Sequence, residues 1–175
     1  MDREQDEALV AELHRLGVRH LVRLAPESVY PPAPPAALIA GLAGHGQARF
    51  RGALILLFLR RPSLSSAALE ALNGLAGSAA DTLRLYYQAA VYLRPELEAE
   101  LKRYSDELSP LPDLFSAELG LPAVGSVAAE AALAALGEVH ARLSGRAYNW
   151  AGSYRQHLAL FLRQLRRYAH ADIAA

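Results

Sequence analysis

Histidine is the first residue type to test for chemistry. His14, His20, His45, His140, His157 and His170 include no pair three or four residues apart, and none falls in an HExxH-type pattern. A helix face needs such spacing to hold a metal ion, so no metal site and no cofactor are expected. The histidines read as structural or surface groups. Cysteine is absent, which removes thiolate ligands, disulfides and a Cys nucleophile together. Ser65, Ser66 and Ser126 each precede an apolar helical run and read as helix caps rather than nucleophiles. Gly41, Gly44 and Gly46 follow a helical stretch, and no Gly-Lys-Ser/Thr comes after them. They punctuate helices rather than cradle a phosphate.

Two polar patterns carry alternatives. Asp113 lies in a Pro-bounded loop beside Leu114 and Phe115. It reads as support for the start of a short helix within 112–119; the sharper alternative is an acid–base group in a cleft with Tyr154. Near the C-terminus, Trp150, Tyr154, Leu158, Phe161, Leu165 and Tyr168 follow one another at steps of 4, 4, 3, 4 and 3 residues. That spacing is one helix face and reads as a core stripe, with Trp150 at the helix start placed for a ligand or partner contact. Arg155, Arg163, Arg166 and Arg167 fall in an arc of about 120° on the opposite face. With Arg142 and Arg146 they are the candidate binding residues. Such a face is either simply solvated or meets an anion, an acidic partner or nucleic acid. A face shared with Arg49, Arg51, Arg60 and Arg61 would favour nucleic acid.

The elements that position these residues are all helical. The 175 residues include 35 Ala and 32 Leu against 8 Val, 3 Ile and 1 Thr. Helix formers dominate and sheet formers are scarce, so the expected fold is all-α and a single domain. An N-terminal helix is expected over 4–24, with Gly17 inside it, followed by a stiff connector over 26–35 rich in proline. Short helices over 35–43 and 66–75 precede longer ones over 47–61 and 79–93. The run Ala53 to Leu59 is apolar on every side, which marks a helix buried all round. Pro95 is expected to stop one helix and start the next, whose stripe is Leu97, Leu101, Tyr104 and Leu108. A loop over 109–125 leads to helices over 127–143, closed at Gly145, and 149–170, capped by Asn149.

A self-match organises the middle of the chain. Segment 41–62 aligns with 74–95 without a gap, at an offset of 33 residues and with seven identities in 22 positions. The shared punctuation is Gly-Leu-Ala-Gly at the start, Arg51 with Arg84, and Arg-Pro at the end. Each unit reads as a short helix, a turn, a long buried helix and a stop. The pattern resembles HEAT-like and armadillo-like helical repeats over roughly 35–108. That resemblance implies antiparallel helix pairs stacked as a binding scaffold. Leu111-Pro112-Asp113-Leu114-Phe115 and Asn149-Trp150-Ala151-Gly152-Ser153-Tyr154 resemble stretches of uncharacterised helical proteins from GC-rich bacteria.

Charge adds the expected class of function. Net charge is zero but comes in blocks: −4 over 1–13, +6 over 14–61, −7 over 62–138 and +5 over 139–175. Seventeen of the eighteen cations are Arg, which reflects either coding bias or a use of planar contacts to anions. The start of the chain is acidic and no apolar run approaches the ~20 residues that span a bilayer, so a cytoplasmic protein without a membrane association is expected. Block charge without a catalytic motif favours a non-enzymatic protein-interaction module, with a protein partner or a second copy of the chain. The alternatives are a nucleic-acid binder using the basic C-terminal helix, and an enzyme with its site in a helical cleft.

Overall fold

The computed structural model describes residues 3–19, 21, 30–104 and 110–173 of the chain. Among the described residues the regular structure is eight α-helices and one 3-10 turn, with no strand. These are α1 (Arg3–Arg15), α2 (Pro35–Ala43), α3 (Ala48–Arg60), α4 (Ser65–Leu72), α5 (Gly77–Tyr104), α6 (Ser116–Leu119), α7 (Ala129–Ser144) and α8 (Trp150–Ile173). The fold is all-α, as the Ala and Leu content requires.

Helices α3 and α5 form the centre. Ala53 through Leu59 are each 0 % exposed, so α3 is enclosed on every side. Residues 85–94 of α5 are likewise buried. Helices α2, α5 and α8 surround α3, while α7 and α8 close the other side of α5. Phe58 meets Tyr87 edge-on at 4.7 Å, and Tyr87 meets Phe115 at 5.1 Å, which ties the loop before α6 to the same core. No single helix among the described residues is long and apolar enough to cross a membrane.

Several boundaries differ from the sequence reading. Helix α1 ends at Arg15 rather than continuing to 24, because Gly17 adopts φ +83° and turns the chain. Residues 20 and 22–29 lie outside the described ones, and so do the side chains of Leu101 and Tyr104 and the whole of Leu108. Pro95 does not divide α5, which runs unbroken from Gly77 to Tyr104. Proline removes one donor, that of the bond to the Val91 carbonyl. The flanking residues hold the line: Arg94 donates to the Leu59 carbonyl at 2.5 Å, and Leu97 is buried.

Ser65, Ser66 and Ser126 do not cap. The residues preceding α4 and α7 are Leu64 and Ala128, without a side-chain bond, and Ser126 instead donates to the Ala123 carbonyl at 2.7 Å. Asn149 does cap α8, its Oδ1 accepting from Gly152 N–H at 2.9 Å. Gly145, at φ +65°, ends α7 in the left-handed conformation and reverses the chain into α8.

Candidate functional site

A cavity of about 600 Å³ opens where the starts of α3 and α8 meet the turn that joins α7 to α8. Arg49 and Arg51 come from the first turn of α3, Arg146 and Tyr148 from the α7–α8 turn, Trp150 and His157 from α8, and Tyr86 from α5. A second, more polar cavity of about 410 Å³ adjoins it and shares Arg51, Arg146 and Trp150. Among the described residues no Asp or Glu lines either one. The cavities therefore concentrate positive charge, to which the N-terminal ends of α3 and α8 add partial positive charge.

Arg51 is fixed in place. One guanidinium nitrogen donates to the carbonyls of His45 at 2.7 Å and Gly46 at 2.8 Å. This anchors the side chain across the α2–α3 turn while the rest of the fork lies beside Tyr86. Burial raises the Tyr86 hydroxyl above its usual pKa, against the opposing pull of Arg51. Arg49 covers the Phe50 ring at 5.2 Å and also borders a neighbouring groove that holds Asp6 and Glu7.

The wall behind the arginines is an aromatic and imidazole cluster. His140 stacks on Trp150 with centroids 3.5 Å apart and planes 13° from parallel. Tyr148 meets the indole edge-on at 5.0 Å, and Tyr86 meets His140 at 5.7 Å. His140 Nδ1 lies 2.6 Å from the Tyr154 hydroxyl. Tyr154 is 0 % exposed, so its proton must go to that nitrogen, which leaves His140 protonated on Nε2. Burial first, and the Arg51 charge second, lower the His140 pKa to about 4. Burial raises Tyr154 well above its ordinary value. Both groups are neutral around pH 7.

His157 sits on the other side of the cavity. Its Nδ1 donates to the Ser153 carbonyl at 2.8 Å, which leaves Nε2 as an acceptor. Burial lowers its pKa as well, so it too is neutral. The ring fits only because residue 52 is glycine: a Cβ there would overlap the imidazole. Gly137 performs the same service between α7 and α8, where a Cβ would stand 3.3 Å from Ala151 N. Close helix approach at that point brings His140, one turn later, onto Trp150.

Of the candidate binding residues read from sequence, Arg146 and Trp150 line the cavity, and so do Arg49 and Arg51, weighed there as a possible shared basic face. Tyr154 is buried behind it. Asp113 lies elsewhere: its carboxylate accepts from Ser116 N–H at 3.2 Å, Ser116 Oγ at 2.8 Å and Val124 N–H at 3.1 Å. It is a loop clip that supports α6, and neither it nor Tyr154 lines a described cavity, so the acid–base cleft is not assembled. Arg142, Arg155, Arg163 and Arg166 are exposed, with Arg155 3.8 Å from the Glu96 carboxylate of α5. The side chain of Arg167, like those of Leu165 and Tyr168, lies outside the described residues.

The arginines of α3, together with Arg61 just after it, do not form one face. Arg49 and Arg51 reach the cavity, whereas Arg61 at the far end bonds the Leu16 carbonyl at 3.4 Å and Arg60 lies against Gly17. Sequence periodicity missed Tyr86, Tyr148, His140 and His157 as site residues, because they come from three helices and a turn that only packing joins. One legible signal was Gly52, a glycine inside a helix at the point where its arginines give way to the apolar run. Comparison with protein families, curated proteins and solved structures finds no match for the chain.

Proposed function

We propose that the chain is a non-enzymatic binding module whose recognition site is the arginine-lined cavity, and that its occupant is an anion carried on a flat or apolar body. One observation carries this reading: Arg51 and Arg146 face a ring-walled cavity lined by no carboxylate among the described residues. A guanidinium in such a place lacks a counter-charge and is suited to a planar, two-pronged contact with a carboxylate or phosphate. The rings of Tyr86, Tyr148 and Trp150 supply surface for the remainder of the ligand. Binding fits better than catalysis because each imidazole has one nitrogen committed to a neighbour and Asp113 is held in its loop. We keep a helical-repeat scaffold as part of the proposal; the packing of α2 on α4 and α3 on α5 supports it.

Trp150 is the single tryptophan, so intrinsic fluorescence reads the site directly. Phenyl phosphate, which joins a ring to an anion, is the first probe. Saturable quenching is expected below about 1 mM, with Arg51→Gln and Arg146→Gln each weakening it by about tenfold or more. Absence of saturation, or equal binding by both variants, overturns the reading.

A further inference from the structure

The two adjoining cavities differ in character, and the difference specifies a ligand class; the inference rests on the anion-binding reading above. The larger cavity is mostly apolar and walled by Tyr86, Tyr148 and Trp150. It offers one donor, the Tyr86 hydroxyl, whose oxygen accepts from Arg51, while His157 Nε2 is seated against Gly52 of α3. A heteroaromatic ring with an acceptor edge for that hydroxyl fits the wall better than a hydrocarbon ring.

The smaller cavity is mostly polar, and two of its three hydroxyls, those of Thr82 and Ser144, have their protons spent. Thr82 Oγ1 donates to the Ser78 carbonyl at 2.7 Å, and Ser144 Oγ donates to the His140 carbonyl at 2.7 Å. Both residues line the cavity and their oxygens can only accept further bonds, which suits a ligand rich in O–H donors. The His140 ring belongs to the same lining. Arg51 and Arg146 belong to both linings and so mark the seam between the cavities.

The order across the site is ring, then cation pair, then polyol acceptors. We infer that the site takes a nucleoside diphosphate whose far phosphate carries a second sugar: base in the larger cavity, diphosphate at the Arg51–Arg146 seam, sugar against Thr82 and Ser144. A diphosphate matches two guanidiniums better than a single carboxylate does. The combined space also exceeds what a phenyl ring with one phosphate fills.

The test titrates the full chain with ADP-ribose, ADP, ribose 5-phosphate and phenyl phosphate, following Trp150 fluorescence and confirming each variant's fold by circular dichroism. ADP-ribose is expected to bind about tenfold or more tighter than ADP or ribose 5-phosphate. The double variant Thr82→Val, Ser144→Ala should remove that advantage over ADP. Because a helix-face substitution could unsettle α5 or α7, the single variant Ser144→Ala serves as a second check and should remove part of it. ADP-ribose binding no tighter than ADP overturns the assignment of the second cavity. Binding of phenyl phosphate without either nucleotide overturns the ligand class but leaves the anion site standing. Silence with every probe overturns both. A single-stranded oligonucleotide that binds more tightly than ADP-ribose, with affinity falling steeply in salt, replaces the small ligand with a strand and overturns the inference.

Discussion

His140 and Gly52 show how single residues set the behaviour of the site. An imidazole in an unfolded chain titrates near ~6.5, while His140 in the fold is held down to about 4. Between those values the unfolded chain takes up a proton that the folded one refuses. Stability from this group is therefore complete above pH ~6.5 and is lost as pH falls towards 4, by at most about 3 kcal/mol. Urea midpoints measured from pH 7.5 to 4.5 should decline, and His140→Gln should flatten that decline relative to the parent chain. At Gly52 two effects oppose each other. Alanine in a helix interior normally gains about 1 kcal/mol over glycine. Here its Cβ overlaps the His157 ring, so Gly52→Ala should instead lose about 1–3 kcal/mol. Adding His157→Ala vacates the space and should recover the loss, a reversal that chemical denaturation measures directly. Stabilisation by Gly52→Ala alone would mean that the ring is not seated against α3.

Among the elements, α3 and α5 carry the fold. Leu57 is 0 % exposed in the middle of α3, so Leu57→Ala should destabilise by about 2–5 kcal/mol, as a closed site that cannot collapse requires. Pro95 makes the opposite prediction. It is exposed and interrupts the bonding of a continuous helix, so Pro95→Ala adds a donor and a better helix former. A rise in thermal midpoint is expected, with helical circular dichroism unchanged or increased. A fall would mean that the proline sets a bend on which the packing of Leu97 depends. Both elements were legible as apolar runs in the sequence. The unbroken passage of α5 through Pro95 was not, because local preference favours a helix start at proline. Burial of Leu97 and the bond from Arg94 to Leu59 override that preference.

For the whole molecule the question is which basic surface does the binding. The outer face of α8 presents Arg155, Arg163 and Arg166, and exposed ion pairs such as Arg155 with Glu96 contribute only ~0–1 kcal/mol. Changing all three to Ser should leave the fold and phenyl phosphate binding intact. It should weaken any contact with an acidic partner, including the acidic middle block of a second copy, most visibly at low salt. Sedimentation at low and high ionic strength, run beside the fluorescence titration, separates the two surfaces. Loss of phenyl phosphate binding in this variant would move the anion site from the cavity to the α8 face.

Composition alone determined that this chain is helical, since Ala and Leu abundance with scarce β-branched residues leaves no material for a sheet. Apolar periodicity likewise determined the inward face of α8, where Tyr154, Leu158 and Phe161 are buried as their spacing requires. Local chemistry placed the Asn149 cap and the Gly145 turn, because both act within a few residues. Tertiary structure alone decided the site. Arg51, Tyr86, Arg146 and His157 are far apart in sequence, and no period links them. They meet because Gly52 and Gly137 let helices approach closely and because the end of α7 turns back onto α8. It also decided that Asp113 is a loop clip and that the arginines at the two ends of α3 point to different neighbours. A helix dictates which residues share its face, but only packing against other helices dictates which faces meet.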